Sequence, residues 1–280
     1  MNLTPAAPPI FLKPNYAKDS AGFVFGTSTP KITVTSMQAL ADRLVDMDPF
    51  STWNSAGSTD STNPQTIGIP LYVGVTQTLR TDIALIALLN INFKDFTISL
   101  SSDGGSTFTD MYAVTNNTLS NYIIDASASV KSADYIKIYV TTTFASTPDV
   151  EKFLGTVVMS GLIRQMVAAP MFPISRGVSE NVKVLDMGDG SKNITYIKRS
   201  AASFEFYNAN FNFKMVTDSE LTAMRALRRG YPSFIFYPEP GDKTGEMYQS
   251  MFIPGSFQSQ TSHTCKNLGN DLQFGIQEIG

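Results

Sequence analysis

The sequence is poor in the residues that most often carry chemistry. Its 280 residues include one cysteine, Cys265, and one histidine, His263, and charged residues make up 16% of the chain. A single cysteine cannot form an internal disulfide, so the sequence offers no disulfide framework. A zinc site needs roughly four ligands, which this pair cannot supply. We therefore predict no catalytic, cofactor-binding or metal site, and no enzyme activity.

Clustered positive charge is also scarce. The formal net charge is -3, whereas nucleic-acid binding generally needs clustered lysine and arginine. The densest basic groups are Lys198 with Arg199, and Arg225 with Arg228 and Arg229, and the three arginines suit the last turn of a helix. We expect no nucleic-acid partner.

Long hydrophobic runs are absent. The longest apolar stretch, 83–89, is far too short to cross a bilayer, so we expect no membrane span. The first residues lack a charged segment followed by an apolar run, so we expect no signal peptide and a chain that folds in solution.

Alternating and continuous apolar segments predict an all-β fold. Such segments are typical of half-buried and fully buried strands, respectively. They lie at 67–73, 83–89, 96–100, 135–140 and 153–159, and then at 182–185, 194–197, 203–213, 233–237, 248–253 and 272–279.

One amphipathic helix is predicted at about 217–229. Thr217 and Glu220 have the spacing of a capping box, in which each side chain accepts from the other's backbone amide. Leu221, Met224 and Leu227 form an apolar stripe. Gly230 is expected to end the helix in the left-handed conformation, with a proline two residues later.

Proline and glycine mark the predicted domain boundaries. Residues 1–30 contain five prolines and are expected to form an extended arm, either disordered or docked on a neighbour. Residues 31–167 and 178–280 are predicted to be two β-sandwich domains, the second carrying the helix on its flank. Residues 168–177, which include Pro170 and Pro173, are the predicted linker.

The order of elements in 35–165 resembles the discoidin-like jelly rolls of bacteriophage tail proteins. The resemblance is carried by a tryptophan-bearing loop at 48–53, a buried strand ending at Asn90, the strand and turn at 97–105, and a closing segment at 153–157. It implies a jelly-roll fold and carries no catalytic signature.

Residues 178–280 resemble the β-sandwich of phage tail-tube and distal-tail proteins. A hairpin, a phenylalanine-rich strand, a capped helix, an aromatic strand and paired closing strands follow in that order. Together the two resemblances imply a structural protein of the virion, made in the host cytoplasm, in the distal tail, the baseplate or a minor tail position. They imply a three- or six-fold ring of copies that contacts tail-tube, hub and tape-measure proteins.

The alternative hypothesis is a carbohydrate-binding module for host polysaccharide. Trp53, with Tyr72 or Tyr112, offers an aromatic face on which a sugar can stack. The competing interpretation of the tryptophan is a side chain that fills the core of the sandwich.

Other candidate sites have a structural explanation that we prefer. His263 and Cys265 share one face of a strand but lack the turn and helix that follow a nucleophile. Asp186, Asp189 and Asn193 miss the spacing of a calcium loop and suit a hairpin turn. Glu205 and Glu239 flank the phenylalanine-rich segment and are expected to point to solvent.

Overall fold

The fold is that of a computed structural model, which describes residues 8–47, 51–56, 63–144, 151–166, 175–186, 192–197, 205–237, 247–263 and 268–278. The chain divides into two compact units. The amino-terminal unit comprises Asn15–Leu162 with Lys243–Gly245, and the carboxy-terminal unit comprises Met1–Pro14, Ile163–Asp242 and Glu246–Gly280.

Strands dominate both units, which confirms the predicted all-β fold. In chain order they are β1 (Ile10–Leu12), β2 (Thr33–Val34), β3 (Trp53–Asn54), β4 (Gln65–Pro70), β5 (Tyr72–Val73), β6 (Thr76–Gln77), β7 (Arg80–Ile91), β8 (Phe93–Ser101), β9 (Thr109–Val114), β10 (Asn121–Asp125), β11 (Lys131–Ala133), β12 (Tyr135–Thr143), β13 (Phe153–Gln165), β14 (Ser175–Asp186), β15 (Lys192–Ile197), β16 (Glu205–Val216), β17 (Phe234–Tyr237), β18 (Tyr248–Phe252), β19 (Gln258–His263) and β20 (Leu268–Glu278).

The helical segments are α1 (Asp218–Gly230) and two 3-10 segments, Lys18–Ser20 and Gln38–Val45. Within the described ranges, no helix is both long enough and apolar enough to cross a membrane.

Two antiparallel sheets enclose the core of the amino-terminal unit. One has the strand order β2-β4-β12-β8-β9, and in the other β7 lies between β10 and β13, with β11 added to β7 and β3 to β13. Side chains from both sheets form one apolar cluster. Every residue from Ile83 to Leu89 is buried, as the uninterrupted apolar run predicts for a strand covered on both faces.

Phenylalanine rings fill the core of the carboxy-terminal unit. Its sheet runs in the order β1-β17-β18-β20-β16-β14-β15, and β19 also pairs with β20. Phe236 on β17 and Phe211 on β16 have ring centroids 5.3 Å apart. In a flat sheet these strands, three positions apart, would be separated by about 14 Å. The sheet therefore curls around the rings.

The helix α1 begins as predicted and ends differently. The Thr217 hydroxyl accepts a hydrogen bond from the Glu220 amide, at 3.2 Å, and the predicted apolar stripe lies in the core. Gly230 is the last helical residue and has no positive φ, so the predicted left-handed cap at this residue is wrong. The C-cap residue is Tyr231, whose backbone is extended and whose amide donates to the Leu227 carbonyl.

The predicted arm of residues 1–30 is also corrected over its described part. Ile10, Phe11 and Leu12 pair with Tyr237, Phe236 and Ile235 and are buried in the carboxy-terminal unit. From Asn15 the chain belongs to the amino-terminal unit. The apolar Ile-Phe-Leu triplet explains the difference, because burying it outweighs the extended solvated state that the prolines favour. The predicted linker lies outside the described residues except for 175–177, which open β14.

Gly161 lies where the amino-terminal unit leaves no room for a larger side chain. A Cβ there would overlap the Tyr16 hydroxyl and approach Asp82 Oδ2 to 2.7 Å. Tyr16 donates to Asp82 at 2.9 Å, and burial followed by this carboxylate raises the pKa of the phenol. We expect Gly161→Ala to lower the free energy of unfolding by about 1–3 kcal/mol, measured by urea denaturation with Trp53 fluorescence.

The matched control for this prediction is Gly230→Ala. A Cβ at this helical position meets nothing within 4 Å, and Gly230 belongs to the other unit. It should leave the Trp53 transition unmoved. Equal urea midpoints for Gly161→Ala and the wild type would contradict the described packing.

Candidate interaction surfaces

Trp53 is a core residue. Its side chain is fully buried, and the indole Nε1 donates to the Ser36 carbonyl at 3.1 Å. Its strand β3 pairs with β13, where Trp53 faces Leu154. The prediction that Trp53 stacks on a sugar is therefore wrong, because the ring has no exposed face. The competing interpretation, a side chain that fills the core, describes it.

The two tyrosines of the predicted glycan site, Tyr72 and Tyr112, do not form one sugar-binding surface with Trp53. Tyr72 on β5 is buried, and the Lys31 ammonium lies 4.6 Å from its ring centroid. Tyr112 on β9 packs half-buried against the core, and desolvation, with Tyr122 nearby, raises the pKa of its phenol. The strands β3, β5 and β9 do not pair with one another.

A group of five exposed apolar side chains lies on or beside two turns that Asp19 links in the amino-terminal unit. We name it the hairpin patch and define it by Phe23, Phe25, Val73, Val75 and Leu79. Phe23 and Phe25 are 61% and 80% exposed, and Val75 is 61% exposed. Single exposed apolar residues are ordinary, but two phenylalanines and three aliphatic residues on adjoining turns are typical of a contact surface.

Hydrogen bonds hold the two turns of the hairpin patch together. Residues 22–31 form a loop closed by the Phe23–Pro30 bridge and by the Val24 amide, which donates to the Thr29 carbonyl at 2.8 Å. The second turn joins β5 to β6. Asp19 links the two, since Lys31 Nζ donates to its carbonyl at 2.7 Å and the Gly74 amide to its carboxylate at 3.0 Å.

A shallow polar groove of about 240 Å³ lies elsewhere on the amino-terminal unit. Hydroxyl groups predominate among its polar groups, and it is lined by Leu100, Ser101, Ser102, Thr107, Thr109, Met111, Val130, Lys131 and Ser132. The turn beside it is fixed by Asp103, which accepts from the Ser106 and Thr107 amides and the Thr107 hydroxyl. The Thr107 hydrogen bonds are the main reason that the pKa of Asp103 lies well below its usual range.

The remaining predicted sites stay untested or lie outside the described residues. His263 ends β19 and Asp186 ends β14, while Cys265, Asp189 and Glu239 fall outside the described ranges. Asn193 and Glu205 lie on β15 and β16. Within the described ranges, no group of three or more His, Cys, Asp or Glu side chains is placed to hold a metal ion.

No protein-family model and no curated protein matches the chain. Solved structures of carbohydrate-binding modules share a likeness with about half of it. Chitosan-binding module 1 from a chitosanase/glucanase of Paenibacillus sp. IK-5 is 19% identical, covers 52% of this chain and 98% of its own, and has a TM-score of 0.39.

The family 32 carbohydrate-binding module of Clostridium perfringens NanJ, solved with galactose, shows a similar likeness. It is 17% identical and covers 46% of this chain and 91% of its own, with a TM-score of 0.36. Likeness at this level concerns only the fold of part of the chain. It says nothing of what this chain binds.

Trp53 provides a test of the corrected role. We expect Trp53→Ala to lower the free energy of unfolding by about 3–5 kcal/mol, because it empties a fully buried site of its largest side chain. Trp53→Phe should cost less, since most of the volume is kept. Urea denaturation followed by circular dichroism measures both, and a Trp53→Ala variant as stable as the wild type would contradict the core assignment.

Proposed function

We propose that this chain is a structural protein that acts by binding other protein molecules, including copies of itself, and has no catalytic role. The hairpin patch is the observation that carries the proposal. The phage-tail resemblance of both halves supports a place in the virion, in the distal tail, baseplate or a minor tail position. The three- or six-fold ring and the contacts with tail-tube, hub and tape-measure proteins belong to this proposal.

The energetics of the hairpin patch favour a protein partner. Moving one large apolar side chain out of water stabilises a complex by about 1.5–3 kcal/mol. Phe23 and Phe25 lie on a loop already closed by backbone hydrogen bonds, so their docking orders little additional chain. Aromatic residues held in this way are the anchors that protein interfaces use most often.

In a ring of copies, the hairpin patch would form the contact between one copy and the next. A patch that meets a different surface on the next copy forms a heterologous contact, and such contacts give a closed ring when the rotation between copies closes. The low charge of the chain, 16% of residues, suits a surface covered by neighbours.

Replacing the two phenylalanines tests the proposal. We expect Phe23→Ser with Phe25→Ser to weaken self-association at least about tenfold, because two apolar anchors are lost. Analytical ultracentrifugation over a concentration series measures the effect. The control is Leu119→Ser, which removes an exposed apolar side chain outside the patch. A wild-type chain that remains monomeric at its highest soluble concentration would contradict self-assembly.

The polar groove favours a second candidate function, the binding of a host glycan. Its hydroxyl groups and Lys131 can hydrogen-bond sugar hydroxyls, and Leu100, Met111 and Val130 supply apolar contact. Its volume of about 240 Å³ suits a single sugar unit, since binding pockets for drug-sized ligands span about 300–1,000 Å³.

Titration with galactose and chitotriose, followed by calorimetry, tests the glycan candidate. We expect Lys131→Ala to weaken any binding about threefold to tenfold through the loss of a hydrogen-bond donor. Lys137→Ala is the control, because Lys137 lies over the Phe108 ring and does not line the groove. Heats at the level of dilution for both sugars would count against this candidate and leave the structural proposal unaffected.

A further inference from the structure

Three arginines converge on one recess of the carboxy-terminal unit. Arg225, Arg228 and Arg229, from the last turns of α1, line a recess of about 460 Å³ together with Phe257 and Ser259. Partial compensation of the negative end of the helix dipole is an ordinary role for such residues. That role requires neither an aromatic wall nor a shared recess, so the arrangement calls for a further explanation.

Two of the three guanidinium groups contact a side chain that lines the recess. Arg225 Nη2 donates to the Ser259 hydroxyl at 2.9 Å, and the Arg228 guanidinium lies 5.4 Å from the Phe257 ring centroid. Phe257 is itself packed edge-on against Phe252 and stacked with Phe274. Arginine forks fixed in this way lose little rotamer entropy when they bind an oxyanion.

The charge of the recess is not balanced locally. In the part of the chain that the structure describes, no acidic side chain lines it. Bidentate arginine pairs with a carboxylate are among the stronger protein hydrogen bonds, and because the three arginines are exposed, added salt screens their attraction for a carboxylate. The recess is therefore suited to a ligand that carries more than one carboxylate.

The recess adjoins β19, which pairs along one edge only among the described strands. Ser259 belongs to β19, and among the described strands β20 alone pairs with β19. An edge strand with unpaired backbone groups can accept a further extended segment. The same segment would place alternate side chains toward one face, about 6.6 Å apart. Arg225 and Arg229, four residues apart on a helix, are separated by about 6 Å along its axis.

We propose that this recess binds an extended acidic segment of a protein partner, with carboxylates at alternate positions facing the arginines. The inference deepens the proposed function, because it names one chemical feature of the partner. A single inorganic phosphate matches the site less well, since it cannot use the strand edge and reaches only part of the row of arginines.

Binding of a labelled peptide to the full chain tests the inference. The probe is a fluorescein-labelled (Glu-Thr)4 peptide, whose glutamates alternate, and the readout is fluorescence anisotropy. We expect saturable binding that weakens as salt is added. Arg228→Gln with Arg229→Gln should weaken it at least about tenfold, because two charge-assisted contacts are lost while helix propensity is kept.

Two controls separate the recess from charge alone. Lys94→Gln with Lys137→Gln removes two positive charges from the other unit and should bind like the wild type. A Glu4Thr4 peptide has the same composition without alternation and should bind more weakly. Circular dichroism checks that α1 is retained in each variant.

Four results would overturn the inference. The first is the absence of saturable binding. The second and third are equal affinities of the arginine variant and the wild type, and equal affinities for the two peptides. The fourth is that inorganic phosphate displaces the labelled peptide as effectively as unlabelled peptide of the same total charge. The assay does not require self-association, so its failure is distinguishable from failure of the hairpin patch to assemble copies.

Discussion

The carboxy-terminal unit depends on the packing of phenylalanine rings against one another. Phe11 from β1 contacts Phe234, Phe236, Phe252 and Phe274, with centroid separations of 5.3 to 6.2 Å. Edge-on and offset ring pairs add about 0.5–1.5 kcal/mol each beyond the burial of their area. The curl of the sheet follows from this packing, because strands that are distant in the sheet order must approach one another for their rings to meet. The apolar stripe of α1 closes the same cluster.

Elements with a strong periodic signal were predictable from the sequence. The alternation of buried and exposed residues from Ala209 to Lys214 follows the period of two, and the Thr217 cap and the apolar stripe place α1. By contrast, β9 (Thr109–Val114) and β10 (Asn121–Asp125) were not recognised. Their residues are mostly exposed or half-buried, so they lack the strong apolar alternation that identifies a strand. Tertiary pairing with β8 and β7 fixes them instead.

The candidate surfaces were harder to predict because they depend on contacts that are distant in the sequence. The sequence around Trp53 does not indicate that its indole donates to the Ser36 carbonyl in the core, 17 residues away. The arginines were predicted at a helix end, but no local pattern indicates that Phe257 and Ser259 lie beside them. The hairpin patch likewise depends on Asp19, which joins two turns separated by about forty residues. The local sequence signal for the hairpin patch is the placement of Phe23 and Phe25 between Gly22 and Gly26.

The pairing of β1 with β17 has a consequence for the order in which the protein folds. Along the sequence, the residues of the amino-terminal unit interrupt those of the carboxy-terminal unit, which comprises Met1–Pro14 and resumes at Ile163. During translation at about 5–20 residues per second, Phe11 is added to the chain roughly 11–45 s before Phe234. For that interval Phe11 lacks the rings of Phe234, Phe236, Phe252 and Phe274, while the strands from Asn15 to Leu162 are already made. The strand β1 is therefore made well before β17, the strand with which it pairs in the folded protein.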